Sequence, residues 1–219
     1  LLISATFRLY RQDLNLATVN TLIFDLGGVI VDLDPERTLK EFANLSGLPE
    51  KDVVDVYVRH PAFHAFETGK LGEEAFRNSI REMFNLHSTD AEIDHCWNAM
   101  LLGIPDEKLR LLNNLKKQFT TLALSNTNSI HLRCINEVML NGKMLDTYFH
   151  RAHYSHQIGL RKPDPEIYRC VLNSENLTPE KTLFLDDNPD NIAAAKALGI
   201  QAELIAHPDR VMEIFRNYA

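Results

Sequence analysis

Cysteine is scarce in this chain: Cys96, Cys134 and Cys170 are the only three among 219 residues, and no CxxC spacing joins them. An odd, scattered set excludes a disulfide-stapled fold and a thiolate metal centre, and suits reduced thiols in a cytoplasm. Each is expected to be buried packing. Basic charge is also short, with 23 Lys and Arg against 30 Asp and Glu and a net charge of -7. Nucleic acid and anionic membrane surfaces need a basic footprint, so neither is an expected partner. No stretch approaches the ~18 apolar residues of a spanning helix. Residues 1–20 hold an apolar stretch broken by Arg8, Arg11 and Asp13, without a basic segment before a long apolar one, and read as an extension outside the core. Repeats and low-complexity tracts are absent.

What is present is an ordinary globular composition, 45% hydrophobic and 24% charged, enough for one large core or two modest ones. Four short segments carry the chemistry: 21–29 (TLIFDLGGV), 121–128 (TLALSNTN), 159–163 (GLRKP) and 182–191 (TLFLDDNPDN). In three of them an apolar run of strand length ends on a small acidic or polar residue. That places Asp25, Ser125 and the pair Asp186–Asp187 at the carboxyl edge of a parallel sheet, where ligands of such sheets bind.

The residue types fit one reaction. Asp25 can attack phosphorus, Ser125 can donate to a phosphoryl oxygen, and the Lys162 ammonium can offset charge on both nucleophile and phosphate. Asp186 and Asp187 supply hard oxygen ligands for a divalent cation. Mg²⁺ is the expected one, because it binds through one or two carboxylates plus substrate phosphate. A carboxylate and a phosphate repel at bonding distance until cations screen them, so metal and lysine belong together.

The order Asp25, Ser125, Lys162, Asp187 resembles the four signature motifs of the haloacid dehalogenase-like (HAD) superfamily, over residues 21–205. The stretches DLGGVIVD, LSNTN, GLRKPDPEIY and FLDDNPDNI look most like the branch with alpha-D-glucose-1-phosphate phosphatase and the phosphatase domain of soluble epoxide hydrolases. The resemblance implies an α/β fold, a three-layer Rossmann-like parallel sheet with an inserted helical C1-type cap. It makes Asp25 the nucleophile that becomes an aspartyl-phosphate. Phosphate would be held by Leu26, Gly27, Ser125, Asn126 and Lys162. The metal would be held by Asp25, the Gly27 carbonyl and Asp187, with Asp186 a ligand through water or an acceptor behind it. The implied activity is Mg²⁺-dependent hydrolysis of a small sugar phosphate, by a monomer or weak homodimer whose partner is a small phosphorylated metabolite.

One position departs from the family pattern. Two residues after the nucleophile, where most phosphatases of the superfamily have an acid, stands Gly27. Its carbonyl remains, but a general acid and base worth about 10²–10⁴ in rate is missing. A sugar 1-phosphate, with an acidic anomeric leaving oxygen, would tolerate that loss. Asp32 and Asp34 are possible substitutes, although capping the turn before Pro35 is their plainer role. Two other readings follow: a dehalogenase of the same fold, which needs no cation and which Asp187 argues against, and a phosphate-ligand binder without turnover.

Between Pro35 and Gly103 the periodicity becomes helical. Leu39, Phe42 and Ala43, then Phe76, Ile80, Met83 and Phe84, recur at three- and four-residue spacing. Residues 35–103 therefore read as a helical cap inserted in a core of residues 21–34 and 104–219. Its turn within 66–76 is expected to face the site. From Pro105 the αβ alternation returns: a helix stripe from Leu109 through Phe119, a helix over 166–172, an Ala-rich helix capped by Asn188 or Asp190 and stopped by Gly199, a strand over 202–205 and a closing helix over 211–218. His150, His153 and His156 lie three apart but read as surface or strand-end residues. Trp97 reads as cap core rather than a sugar platform.

Overall fold

The computed structural model describes residues 16–218. Strand β1 (Thr21–Phe24) is buried along its whole length and leads through a tight turn to β2 (Asp32–Leu33). Helix α1 (Pro35–Ser46) starts where the Asp34 side chain accepts from the Glu36 N–H, has proline in its first turn, and stops at Gly47 in the left-handed conformation. Next come α2 (Glu50–Arg59), α3 (Pro61–Glu67), α4 (Glu73–Phe84) and α5 (Asp90–Asn98). Thr89 and Glu92 close a capping box at the start of α5. Strand β3 (Leu101–Gly103) pairs antiparallel with β2, so the chain leaves and rejoins the rest of the protein at one place. These helices bury a core of their own, in which Phe42, Phe63, Phe66, Phe76, Phe84 and Trp97 pack together. The Phe66 and Phe76 rings stack at 4.1 Å and fix α3 against α4.

The remaining chain alternates: α6 (Asp106–Leu115), β4 (Thr120–Ser125), α7 (Ser129–Cys134), β5 (Arg151–Tyr154), α8 (Ser155–Ile158), α9 (Pro165–Ser174), β6 (Thr182–Asp186), α10 (Pro189–Ala197), β7 (Gln201–Leu204) and α11 (Arg210–Ile214). Five strands form one parallel sheet in the order β5-β4-β1-β6-β7. Side chains alternate between its faces. Leu22, Phe24, Leu183 and Leu185 belong to one core cluster, with Leu111 and Leu115 of α6; Ile23, Leu122, Leu124 and Phe184 belong to the other, with Ile167 of α9 and Ile192 of α10. Both faces are thus covered, which is why these strands read as continuous apolar runs. Because β1 lies between β4 and β6, the residues that end these three strands meet at one edge.

Several expected boundaries move. Val19 is buried in the sheet's core and the Asn20 backbone bonds to Lys181 and Thr120, so these two residues are part of the core rather than of an extension. Residues 1–15, the rest of that segment, lie outside the described residues. Helix α6 ends at Leu115, short of Phe119, and the closing helix is the single turn and a half of α11.

Candidate active site

Asp25 follows β1 directly, and its N–H donates to the Leu185 carbonyl of β6 at 2.8 Å, which ties the two strand ends together. Lys162 reaches this edge from the loop after α8. Its Nζ lies 2.9 Å from Asp25 Oδ1 and 2.6 Å from Asp186 Oδ2, with only 1% of the side chain exposed. Asp186 is fully buried. It accepts from Asn191 Nδ2 at both oxygens, 2.9 and 3.1 Å, and from the Asn188 N–H at 2.8 Å. It is therefore saturated by protein donors, while Asp187 next to it is exposed. The Leu26 N–H donates to Asp25 Oδ1 at 2.7 Å.

Asp25, Asp186 and Asp187 each offer an oxygen, and the three lie within 4.8 Å of one another. Three carboxylates against one ammonium leave a surplus of negative charge. Burial, together with the charges of Asp186 and Asp187, drives the Asp25 carboxyl up to about 7 although Lys162 pulls the other way. Burial works against the Lys162 charge, but Asp25 and Asp186 outweigh it and hold the ammonium above its ordinary range. Burial and Asp186 raise Asp187 as well. A hard divalent cation at this edge would supply the missing positive charge, so the donor set fits one.

Beside these groups opens a cavity of about 160 Å³. Leu26, Gly27, Ser125 and Asn126 line it from the sheet segments, and Tyr57, Glu67 and Trp97 line it from the inserted helices. Trp97 is 2% exposed within the helical core, and it also lines the cavity. Its Nε1 donates to Asn128 Oδ1 at 3.3 Å and its ring stacks on His131.

Residues 19–199 match the haloacid dehalogenase-like hydrolase family. The chain belongs to it. A D-ribitol-5-phosphate phosphatase of Bacteroides thetaiotaomicron is 32% identical over 84% of this chain and 90% of its own. A phosphorylated carbohydrates phosphatase of Thermotoga maritima is 25% identical over 84% and 83%. Among solved structures, a HAD family enzyme from Bacteroides thetaiotaomicron, in complex with magnesium and inorganic phosphate, superposes with a TM-score of 0.79 at 31% identity, covering 85% of this chain and 93% of that one.

Within this HAD-like hydrolase some groups raised by sequence lie elsewhere. Asp34 caps α1 and Asp32 is ion-paired with the buried Lys108 at 2.8 Å, so neither stands free to replace an acid at Gly27. His150 accepts from the Thr121 N–H, His153 meets Glu175 and His156 bonds the Thr127 carbonyl; they form no shared site. Only Cys96 is buried, whereas Cys134 is half-buried and Cys170 exposed, which corrects the reading of all three as core. The structure adds contacts that residue types alone do not give. The Asn126 side chain bonds the Lys162 backbone, Asn191 fixes Asp186, and Gly28, at φ 70°, leaves room that a Cβ would take from the Asp187 carboxylate. The GG pair after Asp25 was the legible signal for the last. Glu67 lies in the stretch 66–76 expected to face the site and Arg161 in the GLRKP segment, but no spacing signals their ion pair.

Proposed function

We propose that this hydrolase is a Mg²⁺-dependent phosphomonoester hydrolase acting on a small sugar phosphate through a phosphorylated Asp25. The observation that carries the reading is Lys162 held between Asp25 and Asp186 at the sheet edge, beside a cavity lined by Leu26, Gly27, Ser125 and Asn126. A buried carboxylate with a fixed ammonium beside it is the arrangement that nucleophilic attack on phosphorus requires. Phosphatase activity is supported further by the D-ribitol-5-phosphate and phosphorylated carbohydrates phosphatases across most of the chain.

Asp25 would attack phosphorus while Lys162 offsets the charge of both anions. Ser125 and the Asn126 backbone would hold phosphoryl oxygens. Asp25, Asp187 and the Gly27 carbonyl would hold Mg²⁺, backed by Asp186, and its charge would offset that of the transferring phosphoryl group. Water then cleaves the acyl phosphate. The cavity has room for a small leaving group, since about 150 Å³ holds a six-membered ring.

Phosphate release from a panel of sugar and sugar-alcohol phosphates, with and without EDTA and with Asp25→Asn, tests the proposal. Turnover that survives chelation or the substitution rules it out. Gly27 favours a second reading, a binder of phosphorylated ligands without turnover; Mg²⁺-linked binding with no phosphate released across the panel would establish that instead. The carboxylate pair beside Asp25 fits a cation that a dehalogenase does not need, and chloride release from 2-haloacids would show that activity.

A further inference from the structure

With a glycine at position 27, the leaving oxygen has no acid from the segment that carries the nucleophile. The cavity wall contains three titratable side chains, Tyr57, Glu67 and His131. His131 is committed. Its Nε2 is bonded to the Trp97 carbonyl at 3.0 Å and its Nδ1 to Asn128 at 3.2 Å, and burial pushes it down to about 4. Tyr57 is pushed above its usual range by burial and by Glu67, which makes it a poor donor near neutrality. Glu67 remains. It is the last residue of α3 and lines the same cavity as Gly27, Ser125 and Asn126, and its Oε2 meets Arg161 Nη2 at 3.1 Å, one residue before Lys162.

We propose that Glu67 is the catalytic acid and base of this enzyme, supplied by the helical insert in place of the carboxylate absent at Gly27. The proposal rests on the phosphatase reading. In the first step the Asp25 oxygen bonds to phosphorus, the bond from phosphorus to the leaving oxygen breaks, and the Glu67 proton passes to that oxygen. In the second, the Glu67 carboxylate takes a proton from water as the water oxygen bonds to phosphorus and the bond to Asp25 breaks. Atoms and charge balance over the pair, and Glu67 ends protonated as it began.

The charged and titratable groups acting on Glu67 are Arg161 and Lys162 from the loop and Tyr57 from α2; α8 packs against α3 as well, and its His156 is bonded to the Thr127 carbonyl. Burial raises the Glu67 carboxyl, Arg161 and Lys162 lower it, and burial prevails. An incoming phosphate adds negative charge and raises it further. A group that must give and then take a proton at neutral pH needs such an upward shift.

Two esters of similar size separate this role from a structural one. Benzyl phosphate leaves as an alkoxide that needs a proton; p-nitrophenyl phosphate leaves as a stable phenolate that does not. The quantity compared is kcat/KM, which reports the step that forms phospho-Asp25; loss of the base in the second step lowers kcat on both esters alike. Glu67→Gln is expected to lower kcat/KM on the benzyl ester by about 100-fold more than on the nitrophenyl ester. The fall in kcat/KM at high pH on the benzyl ester should vanish in the variant. Equal loss of kcat/KM on both esters, or persistence of that limb, overturns the proposal while the phosphatase reading stands. Arg161→Gln breaks the same ion pair but keeps the carboxyl, so it should move the limb to higher pH; an unmoved limb overturns the proposal even if Glu67→Gln fails to fold. Absence of turnover by the wild type on both esters with Mg²⁺ present overturns the phosphatase reading and the proposal with it.

Discussion

Asn126 grips the main chain of Lys162: its Oδ1 accepts from the Lys162 N–H and its Nδ2 donates to the Lys162 carbonyl, both at 2.9 Å. These two bonds set where the lysine begins, and its ammonium must then fall between Asp25 and Asp186. Asn126→Ala leaves both main-chain groups without that partner, at a cost of about 1–3 kcal/mol. A misplacement near 1 Å at a reacting group lowers rate by about 10². The variant is expected to fold, to lose about that much stability in urea unfolding, and to lose kcat far more than KM. Unchanged kcat would show that Lys162 is placed by other contacts.

Gly28 makes a similar demand on the metal side. Its φ is 70°, and a Cβ there would overlap the Asp187 carboxylate. Gly28→Ala is expected to raise the Mg²⁺ concentration needed for half-maximal turnover, by moving Asp187, and to cost about 1–2 kcal/mol for the left-handed conformation. Titrating Mg²⁺ against activity in both proteins checks it. The same half-saturating concentration would mean that Asp187 is not a ligand.

The sequence made the sheet edge legible because each strand end there is one continuous string: apolar run, then functional residue. Asp25, Ser125 and Asp186 could be placed on an edge without coordinates, and the parallel sheet fixed that they share it. The opposite wall was legible only as the stretch 66–76. Glu67 ends a helix among many acidic residues, and nothing local distinguishes its carboxylate from the solvated Glu36 or Glu50; the packing of Phe66 on Phe76 joins α3 to α4 beside the cavity. Asp32 misled for the same reason. Its neighbour in space is Lys108, 76 residues away, and no spacing rule reports such a pair. Trp97 resisted a single label because a large ring can fill a core with one face and wall a cavity with its edge.

Restoring an acid at position 27 is a direct probe of proton transfer. A Cβ on Gly27 would lie 2.6 Å from Leu33 Cδ1, the far end of a flexible side chain, so Leu33 must shift. In a Glu67→Gln background, Gly27→Asp is expected to raise kcat/KM for alkyl phosphates, within the ceiling of about 10²–10⁴ for a general acid, and to do little for p-nitrophenyl phosphate. Adding Leu33→Ala should enlarge the gain by relieving the overlap. If neither variant is faster than Glu67→Gln alone on any alkyl ester, a carboxyl at position 27 does not reach the leaving oxygen.

His131 carries a pH dependence of stability apart from catalysis. Burial holds it at about 4, against 6.5 for an ordinary imidazole, because protonation would place a charge where water cannot solvate it. The native state thus binds its proton less readily than the unfolded chain. Its contribution is complete above about pH 6.5 and is lost as pH falls toward 4. Between pH 7 and pH 5 the loss is about 2 kcal/mol. Asp25, raised to about 7, acts in the opposite direction over the same interval, so the net slope of the wild type alone does not isolate either group. Comparison with His131→Phe does. Phenylalanine keeps the stacking on Trp97, gives up the bonds to Asn128 and the Trp97 carbonyl, and cannot titrate. The variant is expected to be less stable at pH 7, yet to lose about 2 kcal/mol less than the wild type on acidification to pH 5, measured by urea unfolding at both pH values. Parallel losses in the two proteins would show that the imidazole accepts its proton in the native state and that the Trp97–His131 stack tolerates the charge.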